Sequence, residues 1–233
     1  MKEIKKYKKS FEYSYCQGAY PSIELIKKHS NLVDFVLIDE EFNEIQKLIS
    51  LLKELKIEYK ISSKLVKRLS NRKNDYVISF FNKYITKLEK GNHIILENIE
   101  NMGNLGTILR SMAAFGYKNL ALIGNTCDYF DPRVIRASMG SIFDINIEKF
   151  DDINEYIKKF QNTIYSFMLT EKSVKLKDVK KIEPFSLAFG NEGEGLTDDF
   201  KKFKVVKIEQ TNLVDSLSIQ IASAVSMYEF KEK

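Results

Sequence analysis

The stretch Leu187–Thr197 (LAFGNEGEGLT) holds three of the chain's ten glycines within six residues, at Gly190, Gly193 and Gly195. Glycine is required where the backbone takes a positive φ, or where a ligand lies against bare peptide. The apolar run Phe185–Phe189 leads into the loop and reads as a buried strand. Thr197 then offers a cap, and Asp198 and Asp199 suit the positive start of a helix. Strand, tight loop and helix in that order point to an α/β architecture with a site where the strand ends. Phosphate is a poor ligand for this loop: Glu192 and Glu194 repel it, and no P-loop lysine follows the last glycine. The residues read as a loop for a ligand that is not strongly anionic, approached through backbone. A plain glycine-rich turn bearing solvated acids would use the same residues.

The 233 residues make one large domain or two small ones, and 44% hydrophobic with 30% charged residues excludes a disordered chain. No apolar run is long enough for a membrane span, and the basic start lacks the apolar core of a secretory signal. Cys16 and Cys127, with His29 and His93, are too few and too scattered for a disulfide framework or a metal site. The expectation is a reduced, cytoplasmic protein with no metal. The net charge of +5 is unevenly spread: residues 1–90 carry 19 Lys and Arg against 12 Asp and Glu, and residues 91–233 carry 18 against 20. A basic first half suggests a polyanionic partner. A lysine-rich surface of purely compositional origin is the alternative.

Periodicity divides the chain in two. In residues 1–86 helices are expected from Pro21, over Phe42–Leu55 and from a Ser62 or Ser63 cap to Leu69. Strands are expected at Leu32–Ile38, Ile57–Ile61 and Tyr76–Phe81, with residues 1–16 a loose arm or short edge strand. That is a small α/β sandwich. Residues 87–90 serve as linker to a second domain, 91–233. There the expected strands are His93–Glu97, Asn119–Gly124, Asn162–Leu169, Phe185–Phe189 and Phe203–Ile208. Helices are expected at Leu105–Phe115, over the basic Asp131–Gly140, and at the end, with Leu217, Ile221, Ala224, Val225 and Tyr228 on one face. Strands alternating with helices make a parallel sheet. Arg110, roughly 140° round the helix from Leu105, points away from the buried stripe.

Three blocks resemble a known family. Asn101–Gly116 (NMGNLGTILRSMAAFG) resembles the first motif of the SpoU/TrmH family, within the SPOUT superfamily of RNA ribose 2′-O-methyltransferases. Leu187–Leu196 resembles its second motif, and Ile208–Ala224, around Asp215–Ser218, its third. Asp131–Gly140 (DPRVIRASMG) resembles the segment between the first two, and residues 1–85 resemble the ribosomal-protein-like RNA-binding domain of rRNA-modifying members. The resemblance implies a C-terminal trefoil knot, S-adenosylmethionine as cofactor, and a homodimer with a shared active site. It implies methylation of a ribose in structured RNA, 23S rRNA first. A tRNA ribose methyltransferase, or a ribosome-assembly factor without catalysis, is the alternative. The third motif departs from the pattern: Ile208–Asn212 lacks the usual Pro and Gly, leaving Asn212 as the residue most tolerant of the bend, and Ser218 replaces an Asn.

The resemblance also assigns roles. Arg110 sits at the substrate, and a guanidinium stays protonated, so it is expected to hold phosphate and support a developing alkoxide. Asn104, Glu192, Ser216 and Ser218 complete the catalytic set: Asn104 positions Arg110 or ribose, Glu192 orders the glycine loop or meets Arg110, and Ser216 caps the last helix. Gly190, Ile208 and Leu217, with Leu169, are expected at the cofactor. Arg133, Arg136, Lys64, Lys67, Arg68, Arg72 and Lys73 are expected at RNA phosphates, with Tyr76, Phe80 and Phe81 as candidate base-stacking rings.

Overall fold

The computed structural model describes residues 5–70, 72, 74–211 and 213–231; Lys73 and Asn212 lie outside the described residues. The chain packs as two units. Residues up to Tyr84 join with Asp128–Phe143, and Ile85–Cys127 joins with the chain from Asp144 onward.

The first unit runs β1 (Tyr13–Gln17), α1 (Ala19–Lys28), β2 (Val33–Ile38), α2 (Ile45–Glu54), β3 (Glu58–Ile61), α3 (Ser63–Leu69) and β4 (Val77–Asn82). Its sheet has the order β1-β4-β2-β3, antiparallel except for the β2–β3 pair. The N-terminal stretch supplies the edge strand β1, and Ser62 caps α3, accepting from the Leu65 amide at 3.4 Å. Side-chain alternation divides the apolar residues between the two faces. Ile26, Val36, Ile38, Leu48 and Leu52 pack on the α1–α2 side, and Tyr15, Leu37, Val66, Leu69, Ile78 and Phe80 on the α3 side. Phe80 and Phe81 are buried, so they are core rings and not base-stacking ones. The segment Asp128–Phe143, with α5 (Pro132–Ala137), completes this unit. Phe130 and Phe143 meet Phe81 at 5.8 and 5.1 Å between ring centroids, and Ser14 Oγ donates to the Phe130 carbonyl. Arg136 lies 2.6 Å from the buried Asp75 carboxylate.

The second unit runs β5 (His93–Glu97), α4 (Met102–Phe115), β6 (Asn119–Ile123), β7 (Asn146–Phe150), α6 (Ile153–Lys159), β8 (Thr163–Phe167), β9 (Val174–Lys175), β10 (Phe185–Phe189), β11 (Lys204–Lys207) and α7 (Ile219–Phe230). All seven strands are parallel, in the order β7-β6-β5-β10-β8-β11-β9. The central strands β5, β6 and β10 are buried along their whole length, as a parallel sheet covered on both faces requires. Ile95, Ala121, Ala188 and Ile164 face α6 through Ile153 and Tyr156. Tyr165 and Phe185 face α7, with ring contacts to Phe230 at 4.9 and 5.0 Å. Strand β7 and helix α6 were not anticipated from periodicity.

Two local expectations are corrected, both of them helix caps. Thr197 precedes a 3-10 turn, Asp198–Lys202, and makes no capping bond, because its hydroxyl goes elsewhere. Ser218, not Ser216, holds the N-cap position of α7, and its side chain makes no capping bond. Ile221, Val225 and Tyr228 share one face of α7, as their spacing implies, and that face is 50%, 41% and 68% exposed, while Ile219, Ser223, Ser226, Met227 and Phe230 are buried.

Candidate functional site

Strands β10, β8 and β11 are neighbours, and their C-terminal ends open onto one cavity of about 490 Å³. Parallel sheets commonly bind ligands at this edge, and the volume is in the small-molecule range. The glycine loop forms one wall, from Phe189 to Leu196, and the segment containing Ile208, Gln210, Ser216 and Leu217 forms another. Leu169, half exposed, lies at the rim beyond β8. At the strand ends Phe167 stacks on Phe189, with centroids 4.7 Å apart and planes 17° from parallel.

The loop closes on itself. Gly195 N donates to Asn191 O at 3.1 Å, and the Asn191 side-chain oxygen accepts from Gly193 N at 3.0 Å and Glu194 N at 2.7 Å. Gly195 takes φ +72°, and a Cβ on Gly190 would stand 1.9 Å from the Gly195 carbonyl carbon. So Gly190 is required by the close approach of backbone, and Gly195 by conformation. The far end is pinned by Glu97, at the end of β5, whose carboxylate accepts from both the Thr197 amide and hydroxyl at 2.8 Å. Glu97 was not singled out in the sequence; its signal is a carboxylate ending an apolar strand.

Asn101 caps α4, accepting from Asn104 N at 3.1 Å, which leaves the Asn104 side chain to donate to the Glu192 carboxylate. The first and second motif blocks therefore meet at the cavity wall. Glu192, Glu194 and Asp198 lie on the lining with Lys207 and with Lys201, which pairs with Asp198 at 2.6 Å. In the third block Glu209 bridges Lys175 at 2.9 Å and Lys177 at 3.1 Å, and Gln210 donates to the Asp215 carbonyl. Those lysines draw the Glu209 carboxyl below its ordinary range.

Of the expected site residues, Gly190, Ile208, Leu217, Leu169, Glu192 and Ser216 line the cavity. Asn104 touches it through Glu192. Arg110 is exposed on α4 and Ser218 lies at the start of α7, and neither is part of the lining. Lys67, Arg68 and Arg72 are exposed on and after α3. Arg133 forks onto Asp131 at 2.9 and 3.0 Å, and Arg136 is engaged by Asp75. Behind the sheet, the Tyr156 hydroxyl links His93 Nδ1 and Ser186 at 2.7 Å each, and burial lowers the His93 pKa. No helix among the described residues is long and apolar enough to cross a membrane.

Residues 91–228 match the SpoU rRNA Methylase family. An uncharacterized tRNA/rRNA methyltransferase of Synechocystis sp. is 30% identical over 144 residues, 60% of this chain and 53% of that protein. The 23S rRNA (guanosine(2553)-2′-O)-methyltransferase of Bacillus subtilis is 24% identical over 150 residues, 59% of this chain and 57% of that one. The chain thus spans little more than half the length of these relatives. Among solved structures, the AdoMet-bound rRNA methyltransferase from Sinorhizobium meliloti has a TM-score of 0.81 at 22% identity, covering 94% of this chain and 86% of that one. At that identity the likeness is one of fold.

Proposed function

This chain belongs to the SpoU rRNA Methylase family, and from that premise we propose that it is an RNA ribose 2′-O-methyltransferase using S-adenosylmethionine. Its substrate is 23S rRNA in the cytoplasm, and it works as a homodimer with the family's knotted C-terminal topology. The observation that carries the reading is the closed glycine loop at the ends of three parallel strands. The cavity fits the cofactor's chemistry. Bare backbone at Gly190 admits close approach, and the apolar residues Phe189, Leu217 and Ile219 suit an adenine. Glu192 and Glu194 suit a cation where they would repel phosphate.

When bound, S-adenosylmethionine supplies an electrophilic methyl group on a positively charged sulfur. The chain's part is alignment of the ribose hydroxyl and support for the oxygen as it loses its proton. Asn104 and Glu192 fix the wall beside the reacting groups. Arg110 holds the target phosphate through its guanidinium, lowering the cost of negative charge on the neighbouring oxygen. Ser216, on the cavity wall, and Ser218 offer hydroxyls toward the substrate side.

Arg110 stands outside the lining of its own chain's cavity, which fits an active site completed by a second copy of the chain. Helix α4, which carries it, packs against α7: Phe115 meets Tyr228 at 5.9 Å. The exposed Ile221, Val225 and Tyr228 beside it provide an apolar face for that copy. The basic first unit selects the RNA through Lys64, Lys67, Arg68, Arg72, Lys73 and Arg133, while Arg136 serves Asp75. The 23S rRNA 2′-O-methyltransferase among the chain's relatives supports rRNA as substrate.

The test is mass spectrometry of nucleosides from 23S rRNA and tRNA of a deletion strain, with methyl transfer restored by the purified protein. Loss of one 2′-O-methylated nucleoside from 23S rRNA is expected. Loss from tRNA alone would reassign the substrate, and loss from neither would remove the enzymatic reading.

A further inference from the structure

On the α3 face of the first unit's sheet, aromatic rings run outward in a file. Buried Phe80 meets Tyr13 at 6.1 Å and Phe35 at 5.9 Å between centroids. Tyr13 then stacks on Phe11 at 5.1 Å with the planes 22° apart. Tyr13, Phe35 and Phe11 are half-buried, so the file climbs from core to surface. Strand alternation explains its direction: Tyr13 and Tyr15 share one side of β1, while Ser14 and Cys16 are buried on the other. Phe11 ends the file. Among the described residues its one ring neighbour is Tyr13.

Cations share this face. Leu65, Val66 and Leu69 of α3 pack with Tyr13, Phe35 and Phe80, and the same short helix presents Lys64, Lys67 and Arg68 to solvent. Lys8 and Lys9 are exposed beside Phe11, whose amide donates to the Lys8 carbonyl at 3.0 Å. Glu12 is the one acid between Lys8 and Tyr13. A partly exposed ring stack flanked by lysines is a poor protein core and a good nucleobase surface. Every base has a π-face to complete the stack, and the flanking cations meet phosphates.

We propose that Phe11 and Tyr13 form a stacking platform for an unpaired base of the RNA, with Lys8, Lys9 and the α3 cations taking the adjoining phosphates. This rests on the RNA substrate proposed above and adds that the recognised element is single-stranded.

The chain contains no tryptophan, so Phe11→Trp in the full-length protein places a single indole on the platform. The probes are ten-nucleotide oligo(U) and oligo(A), an RNA duplex of equal length, and inorganic polyphosphate. The single strands are expected to quench the indole saturably; duplex and polyphosphate, bound through charge alone, leave it bright. Phe11→Leu, which keeps apolar volume and lacks the ring, is expected to weaken single-strand binding about tenfold, the scale of one lost base stack. Its slope of log K against log salt stays unchanged, because no charge is removed. Phe11→Tyr restores binding. Wild-type affinity in Phe11→Leu, equal quenching by duplex, or a change in oligomeric state with Phe11→Leu overturns the platform. If methyl transfer to rRNA persists in those cases, the platform alone is lost. If the wild type binds neither these probes nor rRNA, the RNA-substrate reading falls with it.

Discussion

Replacing Gly190 with alanine is the sharpest test of the glycine loop. The added Cβ would lie 1.9 Å from the Gly195 carbonyl carbon and 2.1 Å from both its oxygen and Leu196 N. All three are backbone atoms, so no side chain can swing away. Restoring ordinary contact requires the two sides of the loop to part by roughly 1.5 Å. That breaks the Gly195 N to Asn191 O bond and disturbs the two amide bonds to the Asn191 side chain. Each such bond is worth about 0.5–1.5 kcal/mol net, and solvent takes over part of the loss on an exposed loop, so about 2 kcal/mol is the working figure. If the closed loop must be regained before S-adenosylmethionine binds, affinity falls about 30-fold. Calorimetric titration of the cofactor measures this directly. Gly193→Ala is the internal control, since its Cβ would meet only the Asn191 side-chain oxygen at 3.7 Å; it should bind within about threefold of wild type. The reasoning is refuted if Gly190→Ala also binds within threefold, or if both variants lose affinity equally.

Three further outcomes are expected. Arg110→Ala should lower kcat at least tenfold, a barrier increase of about 1.4 kcal/mol, with cofactor affinity unchanged, because the group acts on the transition state; single-turnover kinetics beside calorimetry checks it, and a near-normal rate would reduce Arg110 to a surface charge. Ile221→Glu should convert the dimer to monomer in sedimentation and abolish turnover while the monomer stays folded, and an unchanged dimer would place the interface elsewhere. Burial lowers the His93 pKa, so the folded state holds this ring neutral while the unfolded chain protonates it near pH 6.5. Its contribution is complete above about pH 6.5 and is lost as pH falls from there through the lowered folded value; denaturant melts at pH 7.5, 6.5 and 5.5 should show stability falling, and His93→Gln should flatten that fall.

Local patterning identified the elements whose burial is one-sided or complete. His93–Glu97 and Phe185–Phe189 appear at the expected residues because an apolar run bounded by turns admits few other readings. The cavity's composition was likewise readable, since glycines in a loop between strand and helix signal a close backbone approach. Which side of helix α7 is buried is not legible in the sequence, because the helix is apolar all round and periodicity finds no polar side. Two of its buried positions are Ser223 and Ser226, whose hydroxyls return to the Gln220 and Ala222 carbonyls and need no water. Thr197 looked like a cap because the competing acceptor, Glu97, is 100 residues away in sequence. The aromatics of β4 looked available because a strand's core side and its open side have the same composition until α3 and α5 are placed.

The membership of Asp128–Phe143 in the first unit sets the order of events during synthesis. The first 84 residues leave the ribosome without α5, and Asp75 is then without the arginine that approaches it to 2.6 Å in the finished protein. Phe81 likewise lacks Phe130 and Phe143. At about 5–20 residues per second, the chain as far as Phe143 follows roughly 3–12 s later. Through that interval Asp75 keeps its hydrogen bond from Ser70 but lacks Arg136, and the rings that meet Phe81 are missing. The first unit therefore completes itself only after the opening strands and helix of the second unit have been made. A chain ending near residue 90 lacks the segment that pairs Asp75 and meets Phe81, so residues 1–90 are an incomplete unit.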